Sequence, residues 1–377
     1  MIIGIDASRY KTKEPTGVEW YSYHLLNYLI PILGRDHHHE VRLYLQQDTK
    51  FEPELPFNVQ KRILRFKRFW TLLRLSMEMS RKKIDVLFVP SHILPLFLPK
   101  KAVVTVHDLA FKDPRLQHAY PRKEKFLLEW STHKAVKKAY KIIVPSEATK
   151  LDLIKYYKCE ETKIVVIPHG GPDLTGDNNP LLRKWKPNEK EAILKRVGLS
   201  DKDLTILYVG RIEMKKNLVR LVEAFSRFNK EFPGWKLVLA GKNGIGNEEV
   251  RAKAKEVGVE DLVLFPGYIT EQEKVFLFEK CRIFAFPSLY EGFGLPILEA
   301  FAYRRPVLTS HGSSMAEIAG DAAFLANPEK VEELSVGLKR LASDGMLISR
   351  YIQKGEERLK KFSWDEAAQK TYEVLTG

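Results

Sequence analysis

The sequence is poor in cysteine, with Cys159 and Cys281 as its only two. They lie in opposite halves of the chain and form no metal-ligand spacing, so we expect two reduced, structural thiols. The run His37–His38–His39 could suggest a metal site. It lies in a polar segment between a helix-like and a strand-like pattern, which favours a surface loop over metal binding.

Long apolar runs are also missing. No stretch reaches the roughly 18–20 consecutive apolar residues of a membrane-spanning helix. The first ten residues, MIIGIDASRY, resemble a strand and lack the charged start and cleavage site of a secretory signal. We therefore expect a cytoplasmic protein.

The glycine pattern of dinucleotide-binding folds is absent from the place where it would be needed. A nicotinamide-dependent dehydrogenase would carry G-x-G-x-x-G after its first strand and an acidic residue about 20 residues further on. This chain has GIDASRYKTKEPTG there instead. The sequence therefore argues against such a dehydrogenase.

Positive charge is abundant and unevenly distributed. The net charge is +14, and residues 1–170 contain 30 Lys and Arg against 18 Asp and Glu, an excess of 12. Such a half favours an anionic partner, such as a phosphorylated substrate or an acidic membrane surface. Nucleic acid fits poorly, because this half contains no recognised nucleic-acid-binding motif.

Strand-like and helix-like runs alternate along the chain, and the strand-like runs are continuously apolar. This pattern predicts an α/β protein with parallel sheets that are covered on both faces. The strand-like runs include IIGIDAS, VRLYLQQ, DVLFVP, AVVTVHDL, IIVPS, KIVVIPHG, LTILYVG, WKLVLAG, LVLFPG, RIFAFPS and RPVLTS.

Residues 171–190 interrupt the alternation with a segment rich in Gly, Pro, Asn and Asp, which is typical of a linker. We expect one Rossmann-like domain over 1–170 and a second over 191–361. Ligands bind such sheets at the carboxyl ends of the strands, so two of them imply a central cleft. The amphipathic helix in 362–377 completes the chain.

The stretch SLYEGFGLPILEA, residues 288–300, combines two carboxylates with a bare loop and a helix start. The N–H groups of Gly294 and Leu295, with the positive end of the helix dipole, suit an anion. Gly292 allows a ligand to approach the backbone closely. Glu291 and Glu299 suit hydroxyl groups, so a nucleotide sugar would use every part. The alternative is an ordinary loop carboxylate and an ordinary helix charge.

A second motif, YVGRIEMKKN, places Arg211 and Lys216 between the end of a strand and the next helix. Arginine offers a planar fork to phosphate oxygens and lysine adds a point charge. A solvated helix start is the alternative. After another strand, Tyr268 in GYIT could contact a base through its backbone.

In this order, G-R-x4-K-N, FPG, EGFGLPILEA, PVLTS and GDAA resemble the retaining glycosyltransferases of group 1, family 4. The resemblance covers nearly the whole chain. It implies the GT-B fold, in which two Rossmann-like doubly wound domains face a central cleft. It also implies that the C-terminal domain binds the sugar nucleotide, that the last helix packs back on the N-terminal domain, and that no metal or other cofactor is needed.

The resemblance assigns roles to individual residues. Glu291 would contact the donor sugar and Glu299 the ribose, while Arg211 and Lys216 would neutralise the diphosphate. The loop residues Gly292, Phe293, Gly294 and Leu295 would line the nucleotide sugar.

In the N-terminal half, Gly17 in EPTGVEW resembles the loop glycine that approaches the donor phosphates in this family. Relatives have a richer glycine loop there. His107 ends the strand VTVHDL, and a histidine in this place hydrogen-bonds the donor sugar in relatives. The alternative is a histidine bonded to a neighbouring loop.

Three further candidates lie at two other strand ends of this half. Ser91 and His92 in FVPSHILP could contact the acceptor or pack within a loop. Ser146 in VPSEAT is typical of a helix cap.

Residues 61–83 contain nine basic residues and one acidic residue, interleaved with aromatic and leucine side chains. This composition predicts a basic amphipathic helix. Such a helix could lie on an anionic membrane, or its apolar face could simply pack on the sheet.

The sequence thus predicts a glycosyltransferase that moves a sugar from a nucleotide diphosphate sugar to a hydroxyl of a glycan or lipid-linked acceptor. Cell-surface polysaccharide or glycolipid synthesis is the expected setting, and mannose is a candidate sugar. The alternative is a non-catalytic protein of the same fold that binds nucleotide sugars or docks on membranes.

Overall fold

The computed structural model describes residues 1–10, 17–47, 49, 51, 53–66, 70–81, 83–172 and 183–377. They form two compact units. The first comprises Met1–Phe111, Tyr120–Gly170 and Phe362–Gly377, and the second comprises Lys112–Ala119 and Gly171–Lys361. A short segment of the N-terminal half, Lys112–Ala119, therefore packs with the second unit.

The first unit contains a seven-stranded sheet in the order β3-β2-β1-β4-β5-β6-β7, with every neighbouring pair parallel. Strand β4 is buried along its whole length, as expected for an apolar strand covered on both faces. The strands are β1 Ile2–Asp6, β2 Glu40–Leu45, β3 Val59–Ile63, β4 Val86–Val89, β5 Lys101–Thr105, β6 Lys141–Val144 and β7 Ile164–Val166.

Helices of the first unit lie between these strands and at the C-terminus. They are α1 Gly17–Arg35, α2 Ser76–Arg81, α3 Arg122–Lys138, α4 Glu147–Tyr157 and α13 Trp364–Thr376, with a π-helical turn at Trp70–Leu75 before α2. Helix α13 packs against α1, and Tyr372 donates a hydrogen bond to Asp36 at the C-terminal end of α1 (2.5 Å).

The prediction of one helix over 61–83 is wrong in its first part. Residues 61–63 end strand β3, which has four exposed residues out of five, and the next described helical residue is Trp70. A polar edge strand carries no continuous apolar run, so its sequence lacks the signal of the buried strands. Residues 67–69 and 82 lie outside the described part of this segment.

The second unit contains a six-stranded parallel sheet in the order β10-β9-β8-β11-β12-β13. Its strands are β8 Leu204–Val209, β9 Trp235–Ala240, β10 Val263–Gly267, β11 Ile283–Phe286, β12 Val307–Ser310 and β13 Phe324–Ala326. Both sheets have the doubly wound order of Rossmann-like folds, in which the strand order reverses beside the first strand. The predicted α/β class with two doubly wound sheets is confirmed.

Helices cover the second sheet and extend beyond it. They are α5 Pro187–Val197, α6 Leu218–Asn229, α7 Asn247–Glu256, α8 Glu271–Lys280, α9 Leu295–Ala302, α10 Ser313–Ala319, α11 Val331–Ser343 and α12 Gly345–Leu359. Helix α5 begins at Pro187, so the last four residues of the segment expected as a linker are helical. Residues 173–182 lie outside the described part.

Cys159 and Cys281 are both buried and free, one in each unit, as the sequence predicts. Burial raises the pKa of both thiols, which keeps them protonated and poorly reactive. None of the helices in the described ranges has the length and apolar composition needed to span a bilayer.

Candidate functional site

Two loops meet at the point where the strand order of the second sheet reverses. Strands β8 and β11 are neighbours, and the loops after them, residues 210–217 and 287–294, carry both motifs singled out in the sequence. Ligands of doubly wound sheets bind outside the carboxyl ends of the strands at this point. The topology therefore brings the two predicted parts of the site together.

The first loop opens with Gly210 and Arg211. The Tyr208 hydroxyl donates to the Arg211 carbonyl (2.9 Å) and fixes the turn from inside the sheet. A side chain on Gly241, at the end of the next strand, would meet the Gly210 carbonyl oxygen at 1.9 Å, so the two strand ends can approach only with glycine there. The Arg211 side chain is 57% exposed and lies 3.9 Å from the Glu213 carboxylate.

Asn217 joins the first loop to the second. It adopts a left-handed conformation (φ 59°), and its side-chain amide donates to the carbonyls of Pro287 (3.1 Å) and Pro328 (2.6 Å). The Leu289 N–H donates to the Lys215 carbonyl (2.8 Å) and adds a direct backbone link. These bonds hold the two loops in a fixed register.

Lys216 and Glu291 form an ion pair between the loops, with 2.5 Å from Nζ to Oε1. Both side chains are nearly buried, at 11% exposure each. The Lys216 ammonium also lies over the ring of Phe286, 5.4 Å from its centre. The cation and the carboxylate that the sequence assigned to one site are thus in direct contact.

Two hydroxyls from α10 hold the carbonyl groups of the second loop. Ser313 and Ser314 donate to the Glu291 carbonyl (2.5 and 2.8 Å), and Ser314 also lies within 2.8 Å of the Phe293 carbonyl oxygen. The Glu291 N–H donates back to the Ser313 hydroxyl (3.2 Å). The loop conformation is therefore set by a neighbouring helix, and the sequence pattern of the loop gave no sign of this.

Helix α9 begins directly after this loop, at Leu295, with Pro296 in its first turn. Gly294 precedes it at φ 114°, a conformation that favours glycine. Gly292 and Phe293 are buried beside it. A helix leaves its first N–H groups without partners inside the helix, so this start can bind an anion.

Glu299 lies one turn into α9 and pairs with a lysine that the sequence analysis missed. Lys274 of α8 lies 2.6 Å from Glu299 and 2.9 Å from Glu271. Burial alone would lower the pKa of Lys274, but the two carboxylates raise it, so the ammonium stays charged. The two glutamates of the motif thus each have their own lysine, and nothing local in the sequence links Lys274 to Glu299.

Tyr268 follows β10 at the same edge of the sheet and is about one-third exposed. The Lys242 ammonium lies over its ring, 5.1 Å from the centre. The carboxyl edge of the second sheet therefore carries cations after β8 and β9 and an aromatic ring after β10.

Arg115, from the segment Lys112–Ala119, also contacts the second loop. Its guanidinium donates to Asp113 (2.6 Å), to the Leu289 carbonyl (2.9 Å) and to Glu329 (3.0 Å). Leu289 lies two residues before Glu291, so Arg115 holds the start of the loop that carries this carboxylate. Leu289 and Glu329 are distant from Arg115 in sequence, so no motif could have indicated these contacts.

His107 follows β5 in the first unit, with its Nε2 atom 3.1 Å from the Pro90 carbonyl. Burial lowers the pKa of His107, so the ring is neutral near pH 7. Because a carbonyl only accepts, Nε2 carries the proton and Nδ1 is the acceptor. The ring packs against Tyr21 and His169.

Gly17 is the first residue of α1 and is exposed. The residues before it, 11–16, lie outside the described part of the chain, so the predicted phosphate-binding loop is described only at this glycine. Its role remains a prediction.

Two of the other candidates of the first unit, His92 and Ser146, have structural contacts. His92 Nε2 lies 2.5 Å from the Thr132 hydroxyl, and burial lowers the pKa of His92 to about 4. This contact favours loop packing over acceptor binding. Ser91 precedes it in the same loop. Ser146 caps α4 by accepting from the Thr149 N–H (3.1 Å), which confirms the predicted cap.

The histidine run forms the turn between α1 and β2. His39 is partly exposed and pairs with Asp36 (3.2 Å), and His37 and His38 are exposed, as expected for a surface loop. Across the described ranges, no group of three or more His, Cys, Asp or Glu side chains is placed to hold a metal ion.

Two family models match this chain and together cover most of it. The model for glycosyltransferase family 4 matches residues 15–171, and the model for group 1 glycosyl transferases matches residues 189–358. The second match contains both loops of the site.

Relatives with known names are similar over part of the chain. The O-antigen chain mannosyltransferase B of Escherichia coli is 28% identical over 75% of this chain and 71% of its own length. A 4-alpha-N-acetylgalactosaminyltransferase of Campylobacter jejuni, whose name includes a diphospho-undecaprenol, is 32% identical over 50% of this chain and 51% of its own.

Solved structures match the whole chain. WaaG, a glycosyltransferase of lipopolysaccharide biosynthesis, matches with a TM-score of 0.71 over 100% of both chains at 17% identity. Anabaena HepE in complex with UDP and glucose matches with a TM-score of 0.72 over 100% of this chain and 99% of its own, at 18% identity. At such identities these likenesses establish the fold. With its two family-model matches and its two Rossmann-like sheets, the chain belongs to the group 1, family 4 glycosyltransferases of GT-B fold and is a hexosyltransferase.

Proposed function

We propose that this hexosyltransferase moves a sugar from a nucleotide diphosphate sugar to a hydroxyl of a glycan or lipid-linked acceptor, in the synthesis of a cell-surface polysaccharide or glycolipid. Mannose is the proposed sugar. Two relatives support mannose as the sugar. The O-antigen chain mannosyltransferase B of Escherichia coli is 28% identical in sequence to this chain, and the serotype-specific mannosyltransferase WbdA of Escherichia coli is 25% identical.

The observation that carries the proposal is the buried pair of Lys216 and Glu291 beside the start of α9. A lysine ammonium, the N–H groups of Gly294 and Leu295, and the half-exposed guanidinium of Arg211 offer donors to a diphosphate. Negative charge grows on the departing diphosphate in the transition state, so donors fixed in advance stabilise that state more than the bound substrate.

Carboxylates next to these cations suit the sugars on either side of the diphosphate. We assign the donor sugar to Glu291 and the ribose to Glu299, because ionised carboxylates accept strong hydrogen bonds from hydroxyls. Gly292 and Phe293 line the donor between them. Tyr268, at the end of β10, is assigned to the base.

In the proposed reaction, the bond between the anomeric carbon and the diphosphate oxygen breaks, and a bond from that carbon to the acceptor oxygen forms. The proton of the acceptor hydroxyl passes to the departing diphosphate, so charge and atoms balance. We propose retention of configuration and a reaction without metal, as the family resemblance implies. No side chain is assigned as a nucleophile.

His107 and Gly17 are assigned to the same reaction from the first unit. With Nε2 donating to Pro90, the neutral His107 ring presents Nδ1 as an acceptor for a hydroxyl of a bound sugar. Gly17 is proposed to contact the donor phosphates through its backbone. Contact of the segment 61–83 with an anionic membrane, on the cytoplasmic side, is part of the same proposal.

A panel of donors tests this function. Melting temperature is measured with UDP-, GDP-, ADP- and dTDP-linked sugars, because a ligand of the native state raises it. We expect the sugars of one nucleotide, with GDP-mannose foremost, to give the largest rise in melting temperature. The same donor should release its nucleoside diphosphate when a polyprenyl-linked glycan is added, also in the presence of EDTA to remove metal ions. Binding without release by any donor would instead support the non-catalytic alternative.

A further inference from the structure

Lys274 is a nearly buried cation at a position where a helix disfavours one. It lies at the end of the first turn of α8, where the partial positive charge of the helix start repels an ammonium group. Its side chain is only 16% exposed, so little water solvates the charge. Two carboxylates offset these costs, Glu271 at 2.9 Å and Glu299 at 2.6 Å. A charge retained at such a place marks the pair of Lys274 and Glu299 as a candidate functional contact.

The pair connects the two helices that carry the proposed nucleotide contacts. Helix α8 follows Tyr268, which is assigned to the base, and begins after Thr270, whose hydroxyl accepts from the Glu273 N–H (3.3 Å). Helix α9 follows Gly294, where the diphosphate is assigned, and carries Glu299. In a nucleoside diphosphate the ribose joins the base to the diphosphate. The link between α8 and α9 is therefore at the part of the site that a ribose would use.

Lys274 restricts the position of the Glu299 carboxylate. The ammonium donates to Glu299 Oε1 at 2.6 Å, and the Glu299 side chain is 19% exposed. The ring of Tyr303, at the end of α9, stacks on Phe278 of α8 with 5.3 Å between the ring centres, which adds a second contact between the two helices. The lysine therefore acts on a carboxylate whose backbone is already held against α8.

A carboxylate held in one orientation can recognise two neighbouring hydroxyls at once. Each of its oxygens accepts hydrogen bonds at more than one lone pair, so Glu299 can accept from a ligand while it stays bonded to Lys274. The 2′- and 3′-hydroxyls of ribose lie on adjacent carbons and can donate to the two oxygens of one carboxylate. Such a double contact needs the plane of the carboxylate to be fixed, and the bond from Lys274 contributes that restriction.

We propose that Lys274 is a positioning residue, which orients Glu299 toward both ribose hydroxyls and so makes the site select ribonucleotide donors over 2′-deoxyribonucleotide donors. This inference rests on the proposed function, in which Glu299 holds the ribose. A site that accepts from a substrate hydroxyl rejects the analogue without it, because a buried acceptor is then left unpaired. The inference therefore argues against dTDP-linked sugars as donors, since their pentose lacks the 2′-hydroxyl.

The test compares nucleoside diphosphates with and without the 2′-hydroxyl. The full chain is titrated in a calorimeter with GDP, 2′-deoxy-GDP, UDP and 2′-deoxy-UDP. For the base that binds, the unmodified chain should prefer the ribonucleotide by about tenfold or more, as expected for one hydrogen bond to a charged group. Lys274→Met should weaken binding of the ribonucleotide by about tenfold and of the 2′-deoxyribonucleotide by less than about threefold, so the preference largely disappears.

A conservative variant and a matched control separate positioning from stability. Lys274→Arg keeps the cation and should retain part of the preference for the ribonucleotide. Lys280 ends the same helix and donates to the carbonyls of Asp201 (2.7 Å) and Asp203 (2.8 Å), which precede β8. Lys280→Met should therefore leave the preference unchanged, even where it lowers the melting temperature. If Lys274→Met does not fold, Lys274→Gln takes its place, with the same loss of preference expected.

Steady-state kinetics add a readout that a merely structural role would not move. The ribose takes no part in bond breaking, so a contact to it is made equally in the bound donor and in the transition state. Losing such a contact raises KM and leaves kcat unchanged. Lys274→Met should raise the KM of the sugar donor by about tenfold and keep kcat within about twofold of the original.

The possible results distinguish this inference from the proposed function. Equal affinity of the unmodified chain for the ribonucleotide and its 2′-deoxy analogue would overturn the inference. An unchanged preference in Lys274→Met, with sugar transfer intact, would also overturn it and leave the proposed function standing. If none of the nucleoside diphosphates bound the unmodified chain and no sugar were transferred, the proposed function would fall together with this inference.

Discussion

Replacing Lys216 by methionine removes the positive charge of the pair with Glu291 while keeping a side chain of similar length. The two charged atoms are 2.5 Å apart and both side chains are 11% exposed, so Glu291 would become a nearly buried carboxylate without its cation. Breaking a buried pair by removing one partner costs about 3–5 kcal/mol. We expect the lower end, about 3 kcal/mol in the free energy of unfolding, because some solvent still reaches the pair.

The same substitution should also lower activity, for a second reason. If Lys216 stabilises the departing diphosphate, its loss resembles the removal of one preformed donor, which lowers kcat by about 10²–10³-fold. The double variant Lys216→Met/Glu291→Gln separates the two effects. It leaves no unpaired charge, so the free energy of unfolding should return to within about 1 kcal/mol of the original while the activity stays low.

Urea unfolding measures the free energy of unfolding, and the rate of nucleoside diphosphate release at saturating donor measures kcat. Lys339→Met is the matched control, because Lys339 is also 2.5 Å from its partner, Glu231, but that pair is solvent-exposed. This control should change stability by less than about 1 kcal/mol and leave activity unchanged. If the double variant recovered activity as well as stability, Lys216 would serve only to neutralise Glu291, and its assignment to the diphosphate would be refuted.

Three further predictions concern single side chains. Arg211→Ala should remove about 2–4 kcal/mol of transition-state stabilisation, measured as a fall in kcat/KM. The melting temperature should stay the same, because the side chain is half-exposed. An unchanged rate would contradict the diphosphate role of Arg211. Arg115→Ala should lower kcat about tenfold, the equivalent of about 1.4 kcal/mol, by releasing the Leu289 carbonyl, with partial recovery in Arg115→Lys; equal loss in both would contradict a positioning role. The folded-state pKa of His92 is lowered to about 4, so the unfolded chain takes up this proton first as pH falls, and stability drops below about pH 6.5. His92 alone should account for about 2 kcal/mol of the loss between pH 7 and pH 5, and urea unfolding of His92→Gln should show a pH dependence that is shallower by this amount.

The buried strands of both sheets could be predicted because their apolar runs are continuous. Strand β4 reads VLFV and β11 reads IFAF, and all eight residues are buried. The edge strands β3 and β13 escaped prediction, β3 because its sequence is polar and four of its five residues are exposed, and β13 because it has only three residues. The polar sequence VQKRI is a strand because of its neighbour β2, and that information is not local.

The site was predictable where a motif is short and self-contained. The loop glycines, Glu291 and the start of α9 lie within a few residues of one another, so their proximity follows from the chain itself. The partners Lys274 and Arg115 lie 25 and 174 residues from the groups they bind, Glu299 and Leu289. Only the fold brings these residues together.

The distant partners show how a loop with two glycines can serve as a fixed binding surface. Glycine leaves the backbone many conformations, and an ordered ligand site must exclude most of them. Here the carbonyls of Leu289, Glu291 and Phe293 are held by Arg115 and two serine hydroxyls. With these carbonyl oxygens bound on the protein side, we propose that the helix start after Gly294 offers its first N–H groups to the ligand. Donors that are oriented before the reaction need no reorganisation when charge develops, so we propose that these outer contacts contribute to catalysis without touching the substrate.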